Sequence, residues 1–524
     1  MNHHDTQRGT VAAGHAATAE AGAEVLRVGG NAVDAALAAI TTSFVAEPVL
    51  TGAGGGGFML IAAPGCAPCL YDGFTRMPAG KASSNAGLKP IPIDFGDTVQ
   101  TFHIGQASVG TPSLLAMLFA AHQRYGRLPL AEALAPGIHA ARNGIRLNAL
   151  QASFIHLLEP ILTDTDAART LHAPNEKLLN EGDDFKNTDL ANTLEMLSLE
   201  GIDEMYRGDL ARSIVQACAP NGLLGMHDLA AEQVTLRMPL MQPLLGGELL
   251  TNPPPSSGGI LISYSLALLE RLQAEKLAWP VLVSEVLRSA SLLRQRGFDR
   301  NIHQPGFGQD FFDKDKLDQE HKAILERLRQ SPESSAEAAN RHGSTTQISI
   351  IDADGMAVSM TSSNGEGSGI VVPGTGIHLN NMLGEEDINP LGFHALPAGH
   401  SLSSMMAPSI FMQHGKPRLI LGSGGSNRLR GAILQVLARH HVLGEDIEMA
   451  VHAPRLHNEG MALDIEPELL NDEDRSQLQT LGWNLRQWGQ QSMYFGGVHA
   501  IAMDEKGRIT AAGDPRRGGA VAWA

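Results

Sequence analysis

The chain has 524 residues, of which 43% are hydrophobic and 18% charged, with a formal net charge of −17 at pH 7. These values are typical of a soluble globular protein and exclude a fibrous or disordered class, while the length would allow up to three domains. Nucleic-acid binding is also excluded, because it requires clusters of basic residues, and a small neutral or zwitterionic substrate is easier to accommodate.

The N-terminal residues 1–22 contain no unbroken apolar segment, so they do not resemble a secretory signal, and we expect a cytoplasmic protein. A membrane span is not expected, because no run of about 18 apolar residues is present. Three cysteines, Cys66, Cys69 and Cys218, are too few for a disulfide framework. The first two have the spacing of a redox motif, but the Pro and Gly residues around them favour the tip of a hairpin.

Two helices are predicted near the start of the chain. The first covers Gly14 to Val28 and ends at two glycines, and Asn31 caps a second helix that continues to Val45. Glycines 54–57 then precede an apolar run, which predicts a turn that leads into a buried strand.

The middle of the chain is also mainly helical. Alanine and leucine spacing predicts helices over 113–142 and 159–216, and an apolar helix follows residues 253–259 and reaches about Leu272. Polar and charged residues then dominate, and residues 331–344 are the best linker candidate, because such composition is typical of a surface loop.

Short strand-like runs dominate the chain from Thr345 onward. Asp-Gly, His-Gly-Lys and Lys-Gly turns lie between several of them, and one further strand is predicted within 369–379. Helices are predicted only at about 430–440 and 473–481. A helix-rich part followed by a strand-rich part predicts an α+β fold of stacked sheets covered by helices, rather than alternating βαβ units.

Thr345 and Thr346 stand directly before the first of these strands, and this is also how an ordinary strand begins. A threonine hydroxyl becomes a good nucleophile only when a base lies beside it. A cut before Thr345 would supply that base as a free α-amine, which titrates at about 7.7 to 8, whereas a lysine amine titrates at about 10.4. Thr345 is therefore a candidate nucleophile.

Ten motifs together resemble the γ-glutamyltransferase family, whose members are also called γ-glutamyltranspeptidases or glutathione hydrolases, and the match extends from about Val11 to Arg516. It is their order, and not any single glycine cluster, that makes the resemblance specific. In chain order they read GGNAVDAALAA, EPVLTGAGGGGFMLI, YGRLPLAEALAPGIHAARNG, PPPSSGG, STTQISIIDADGMAVSMTSSN, GSGIVVPGTGIHLNNML, LSSMMAPSI, LGSGGSNR, APRLH and GDPRR.

The resemblance implies an N-terminal-nucleophile hydrolase with a four-layer αββα sandwich. Such a protein is made as an inactive precursor that cuts itself before Thr345. The products would be a helix-rich large subunit of residues 1–344 and a strand-rich small subunit of residues 345–524, which pair as a heterodimer. The enzyme would move a γ-glutamyl group from glutathione or a similar amide to water, an amino acid or a peptide, with no metal or organic cofactor.

The resemblance also assigns roles to individual residues. Gly424 and Gly425 match the glycine pair whose amides stabilise the oxyanion, since only residues without a Cβ allow so close an approach. Ser363 matches the hydroxyl that supports the amine of the nucleophile.

The zwitterionic glutamyl head implies groups of both signs. Arg76, Ser403 and Ser404 are the candidates for its α-carboxylate, and Asn364 with Glu385, or with Glu386 after a one-residue slip, for its α-ammonium. Without the resemblance, turn capping or a solvated face would be the simpler interpretation of these serines and glutamates.

The match departs from the family at three places. Phe74 stands where the arginine of the family is expected, and Arg76 lies closer to the following proline. Gln347 replaces a histidine, which puts the rate of self-cleavage in question. The loop from Asn364 to Gly369 is short, so a lid over the site is in question too.

Three functions therefore stay open. The first is the γ-glutamyl hydrolase and transferase. The second is a related amidase or acylase of the same fold, acting on the acyl side chain of a β-lactam or on a γ-linked polymer, which a broken zwitterion site would favour. The third is an uncut, non-catalytic binding protein.

Overall fold

The computed structural model describes residues 8–81, 87–94, 99–329 and 344–524. The linker predicted at 331–344 lies outside the described residues except for Ser344. Within them the chain forms twenty strands, numbered in chain order: β1 (Gly9–Ala13), β2 (Gly56–Ala62), β3 (Cys69–Gly73), β4 (Lys89–Asp94), β5 (Val99–Ile104), β6 (Ile145–Arg146), β7 (Asp184–Phe185), β8 (Thr235–Arg237), β9 (Leu240–Leu244), β10 (Gly247–Thr251), β11 (Thr346–Asp352), β12 (Ala357–Ser363), β13 (Ser409–Gln413), β14 (Lys416–Gly424), β15 (Leu456–Glu459), β16 (Ala462–Ile465), β17 (Asn484–Gln487), β18 (Gly497–Met503), β19 (Ile509–Ala512) and β20 (Ala520–Trp523).

The same described ranges contain eighteen α-helices: α1 (Ala16–Arg27), α2 (Ala32–Ala46), α3 (Leu114–Tyr125), α4 (Leu130–Asn143), α5 (Ala149–Leu157), α6 (Glu159–Leu162), α7 (Asp166–His172), α8 (Thr188–Glu200), α9 (Asp203–Tyr206), α10 (Asp209–Cys218), α11 (Met226–Ala230), α12 (Gly258–Leu272), α13 (Trp279–Gln295), α14 (Phe298–Asn301), α15 (Lys314–Arg329), α16 (Leu429–His441), α17 (Ile447–His452) and α18 (Asp472–Thr480).

Two antiparallel sheets form the centre of the molecule. One has seven strands in the order β20-β1-β11-β12-β2-β3-β8, and the other has six in the order β19-β18-β14-β13-β10-β9. Strands β11 and β12, which follow Thr345 in the chain, lie between β1 and β2, which precede it. A cut before Thr345 would therefore leave both parts joined by sheet hydrogen bonds. The division into subunits at residue 344 stays a prediction.

The two sheets stack face to face, because β11 and β12 contact β14 and β18. Helices α1 and α2 cover the seven-stranded sheet on its outer side, and α12 and α16 cover the six-stranded sheet. The layers are therefore helix, sheet, sheet and helix. This architecture confirms the predicted α+β fold with an αββα sandwich.

Strand β11 is held from both sides, and this fixes the position of Thr345 before it. Ile348 and Ile350 pack in the apolar core beneath α1 and α2. On the opposite side Ser349 faces the other sheet, where its hydroxyl donates to the carbonyl oxygen of His499 at 2.8 Å. Alternating side chains of this kind suit a strand between two layers.

Local sequence explains several boundaries. The Asn31 side chain accepts from the amides of Val33 and Asp34, and Asp34 accepts from the Asn31 amide, so a capping box starts α2 as predicted. The Cys66–Cys69 segment joins β2 to β3 as the predicted hairpin tip.

Two secondary-structure predictions are wrong. Residues 369–379 form no strand but only isolated bridges, one between Val371 and His378 and one between Leu379 and Gly54, because Pro373 has no amide hydrogen to donate and Gly374, at φ +72°, reverses the chain. The helical region 159–216 is divided into the separate helices α6 to α10, interrupted by turns that contain Gly182, Gly201 and Gly208. Across the described ranges, the helices are too short or too polar to cross a lipid bilayer.

Candidate functional site

Thr345 directly precedes β11 and is 5% exposed. It lines a small cavity of about 40 Å³ together with Ser344, Ser363, Glu385 and Ser404. This volume holds little more than a water molecule, whereas sites for small-molecule ligands typically measure about 300–1,000 Å³. Because Ser344 itself borders the space, the cavity would widen if Ser344 moved away. We call it the Thr345 cavity.

The carbonyl group of Ser344 accepts two hydroxyl hydrogen bonds. The hydroxyl of Thr345 donates to this oxygen at 2.7 Å, and that of Ser363 donates at 2.5 Å. Donors on a carbonyl oxygen stabilise negative charge that develops there, so they assist attack on the carbonyl carbon. The structure thus brings Ser363 beside Thr345, although its partner is a carbonyl oxygen rather than an amine.

Gly424 ends β14 next to Thr345, and Gly425 follows it in the chain. A Cβ atom on Gly424 would lie 2.3 Å from the carbonyl oxygen of Thr345, and Gly425 has a φ of +120°, which favours glycine. Only residues without side chains fit here. The role of the two glycines as oxyanion donors stays a prediction.

Three carboxyl groups, those of Glu366, Glu385 and Asp387, lie around the Ser344–Thr345 bond. Glu366 Oε1 accepts from the Ser344 amide at 3.1 Å. Burial raises the pKa of Glu366 to about 8, against the effect of this hydrogen bond. Burial, followed by the charges of Glu366 and Asp387, also raises the pKa of Glu385.

These carboxyl groups have unused hydrogen-bonding capacity. Within the part of the chain that the structure describes, Glu366 Oε2 and Glu385 Oε1 are buried and have no hydrogen-bond partner. A buried acceptor without a donor costs free energy, so this corner favours an incoming donor.

Glu386 is exposed and lines a different space, an outer cavity of about 500 Å³. Asp387 and Asn427 line both cavities, so the outer one adjoins the Thr345 cavity. Of the two glutamates considered from the sequence, only Glu385 lines the Thr345 cavity.

The other predicted polar residues are divided between this site and its surroundings. Ser404 lines the Thr345 cavity, and its hydroxyl accepts from the Met406 amide at 3.0 Å. Ser403 is buried but does not border the cavity. The side chain of Asn364 donates to the carbonyl oxygen of His378 at 3.2 Å and does not line the cavity.

Arg76 is not brought to Thr345. Its Nη2 donates to Gln233 O at 2.6 Å and to Thr235 Oγ1 at 2.8 Å, and its Nε lies 3.8 Å from the Glu232 carboxylate. These partners hold it in a separate cavity of about 640 Å³. Phe74 lines the Thr345 cavity instead. The interpretation of Arg76 as a carboxylate clamp is corrected accordingly.

Sequence reasoning did not identify Glu366 or two further residues near Thr345, although these two stand in motifs of the resemblance. Glu47 accepts from the Thr346 hydroxyl at 2.6 Å, and burial raises its pKa to about 7. Arg517 donates to the carbonyl oxygen of Thr345 at 3.3 Å, and burial lowers its pKa to about 10. Their motifs, EPVLTG and GDPRR, could have signalled them, but no pattern places them beside residue 345.

Gln347, where the resemblance implies a histidine, is fully buried between the sheets. Its amide nitrogen donates to Ile348 O and Ser359 Oγ, each at 3.0 Å, and its amide oxygen accepts from the Thr361 hydroxyl at 2.6 Å. Both ends of the side chain are therefore used in fixing β11 against β12.

Comparison with known proteins matches nearly the whole chain. The family model described as Gamma-glutamyltranspeptidase matches residues 18–524. A glutathione hydrolase proenzyme of Pseudomonas aeruginosa is 31% identical over 533 residues, covering 97% of this chain and 93% of that protein.

Acylases are similar as well. The Acylase ACY 1 proenzyme of Pseudomonas sp. (strain SE83) is 29% identical over 518 residues, covering 96% of this chain and 91% of that protein. The crystal structure of a cephalosporin acylase from Bacillus halodurans superposes with a TM-score of 0.84 at 23% identity, covering 100% of this chain and 97% of that one. At this identity the superposition supports the fold alone.

Proposed function

From the premise that this chain belongs to the γ-glutamyltranspeptidase family, we propose that it cuts itself before Thr345 and then acts as a γ-glutamyl hydrolase and transferase. The single observation that carries this proposal is the Ser344 carbonyl oxygen, which accepts from the hydroxyls of both Thr345 and Ser363. This contact supports the proposal, in which the Thr345 hydroxyl would be the nucleophile and the Ser363 hydroxyl an oxyanion donor at the same peptide bond.

The cut would proceed through an ester. The Thr345 oxygen attacks the Ser344 carbonyl carbon, the carbon–nitrogen bond breaks, and the hydroxyl proton ends on the nitrogen that becomes the Thr345 amine. Water then hydrolyses the ester and releases Ser344 as a carboxylate. The products are the free Thr345 hydroxyl and an α-amine that can act as its base.

Turnover would repeat the same chemistry on an external amide. The amine of Thr345 accepts the hydroxyl proton as the oxygen attacks the γ-carbonyl, and the leaving amine takes that proton. The γ-glutamyl ester on Thr345 is resolved by water or by the amine of an amino acid or peptide. Gly424 and Gly425 are the proposed amide donors to the oxyanion.

Replacing Ser363 by alanine is expected to slow the cut. The variant loses the 2.5 Å hydrogen bond to the Ser344 carbonyl oxygen, and loss of one oxyanion donor typically costs about 10²–10³ in rate. The half-time of appearance of the fragment 345–524 in freshly purified protein measures the effect. A half-time equal to that of the unmodified chain would contradict the assigned role.

The proposal as a whole is tested on purified protein by intact mass, N-terminal sequencing of the smaller fragment, and hydrolysis of γ-glutamyl-p-nitroanilide. We expect a fragment that begins at Thr345 and release of nitroaniline. A single full-length species without hydrolysis would favour the uncut binding protein instead.

The related amidase or acylase stays a second candidate because of one observation. Phe74, and not an arginine, borders the Thr345 cavity. A site without an arginine lacks the obvious partner for the α-carboxylate of a glutamyl group.

A further inference from the structure

Ser344 shows how an acyl group is held at Thr345. In the proposed cut, Ser344 is the first acyl group that Thr345 receives. Its contacts therefore describe the part of the site that would hold the acyl group of a substrate, which we call the acyl side. Its carbonyl oxygen accepts from Ser363, and its amide N–H donates to Glu366 Oε1 at 3.1 Å. The acyl side therefore includes an acceptor for an N–H group, and that acceptor is Glu366.

Glu366 and Glu385 can each take a further donor. Glu366 is 3% exposed, and its Oε2 is buried without a partner within the described ranges, as is Oε1 of Glu385. Departure of Ser344 would free Glu366 Oε1 as well. An ammonium group supplies three N–H donors and a positive charge, so it would satisfy several of these oxygens at once and favour their ionised form.

The described walls of the cavity offer a carboxylate the hydroxyl of Ser404 but no cationic partner. The residues that line it include Glu385 and Asp387 but no Arg, Lys or His. Arg517 lies behind the Thr345 carbonyl, and Arg294 lines the outer cavity, where its Nε is 3.2 Å from Asp299. A carboxylate on the acyl group would be buried there among carboxyl groups and without a cation, which disfavours binding.

We propose that Glu366 and Glu385 form a subsite for the amine of the acyl group, and that this site prefers amine-bearing acyl groups without a carboxylate over γ-glutamyl groups. Glu366 is the specificity-determining residue of this subsite. The inference rests on the proposed cut and on the Thr345 ester, and it departs from both a zwitterion site and a site for purely anionic acyl groups.

Three p-nitroanilides that differ by one group each test the subsite. The γ-glutamyl anilide carries amine and carboxylate, the 4-aminobutanoyl anilide lacks only the carboxylate, and the glutaryl anilide lacks only the amine. In the cut enzyme we expect kcat/KM for 4-aminobutanoyl to exceed that for γ-glutamyl by about tenfold and that for glutaryl by about a hundredfold or more. The uncatalysed rate of each anilide is subtracted.

The variant Glu366→Gln keeps an acceptor oxygen for the Ser344 amide but cannot become an anion. We expect it to lower the preference for 4-aminobutanoyl over glutaryl by at least about tenfold. The matched control is Glu232→Gln, a carboxyl that is also buried, with its pKa also raised by burial, but that lies beside Arg76 in the separate cavity. It should leave the preference unchanged.

The outcomes separate the two proposals. A fragment that begins at Thr345, combined with equal or better use of glutaryl or γ-glutamyl, or with no use of any anilide, overturns the amine subsite and leaves the cut standing. Failure of the unmodified chain to cut overturns both. If Glu366→Gln is not cut, the kcat/KM values of the unmodified enzyme for the three anilides still decide whether the amine subsite stands.

Discussion

Replacement of Thr345 by alanine is expected to abolish chain scission and to lower turnover of any accepted anilide by at least about 10³-fold. The variant lacks the Thr345 hydroxyl oxygen, which is proposed to attack first the Ser344 carbonyl carbon and then the carbonyl carbon of each substrate. Removal of a catalytic nucleophile typically costs this much or more. Purified protein should run as one full-length chain, with an intact mass that matches the uncut sequence. Hydrolysis of the three p-nitroanilides measures the second effect.

Thr345→Ser is the matched control, because it keeps a hydroxyl and would keep the α-amine after a cut. It should be cut, more slowly than the native chain, and should retain measurable turnover. Thermal unfolding of both variants checks that the sandwich is intact, which is expected because residue 345 precedes β11 rather than lying within it. Scission and turnover that survive in Thr345→Ala would overturn the proposed nucleophile.

The layers of this fold could be predicted from the sequence because its patterns are local. Asn31 and Asp34 cap α2 through neighbouring amides, and the alternation in β11 follows from adjacent residues. The segment 369–379 has strand-like composition, but Pro373 and Gly374 turn the chain there. A pattern of residue types does not reveal which backbone groups find partners.

The site could be predicted only in part, for a related reason. Thr345, Ser363, Glu385 and Ser404 stand in motifs and do meet in one cavity. Arg76 has the right chemistry, but Glu232 and Thr235, more than 150 residues away in the chain, hold it elsewhere. Glu366 could not be predicted, because a glutamate in a glycine-rich loop is usually solvated, whereas here its carboxyl accepts from the Ser344 amide.

The two sides of the nucleophile have different requirements. The acyl side is built from carboxyl and hydroxyl side chains, and single changes there are expected to alter which substrate is used. The side formed by Gly424 and Gly425 is built from backbone, and it contacts the carbonyl oxygen of Thr345 with no room for a side chain. Substitution on this second side should therefore lower the rate for every substrate alike.

Gly424→Ala is accordingly expected to lower kcat/KM for all accepted anilides by at least about a hundredfold. The new Cβ would lie 2.3 Å from the Thr345 carbonyl oxygen and 3.1 Å from Arg517 Nη1, so the nucleophile must shift. Misplacement of a reacting group by about 1 Å can cost about 10² in rate. Steady-state kinetics measures the loss, and the ratios between the three anilides should stay close to those of the native enzyme.

Gly489→Ala is the control, since a Cβ there meets no atom within 4 Å and the residue does not have a positive φ. It should change neither rate nor ratios. If Gly424→Ala retained full activity, the backbone beside Thr345 would have to move without cost. That outcome would contradict the assignment of Gly424 to the oxyanion site, because a displaced β14 terminus could not keep its amide aimed at the reacting carbonyl.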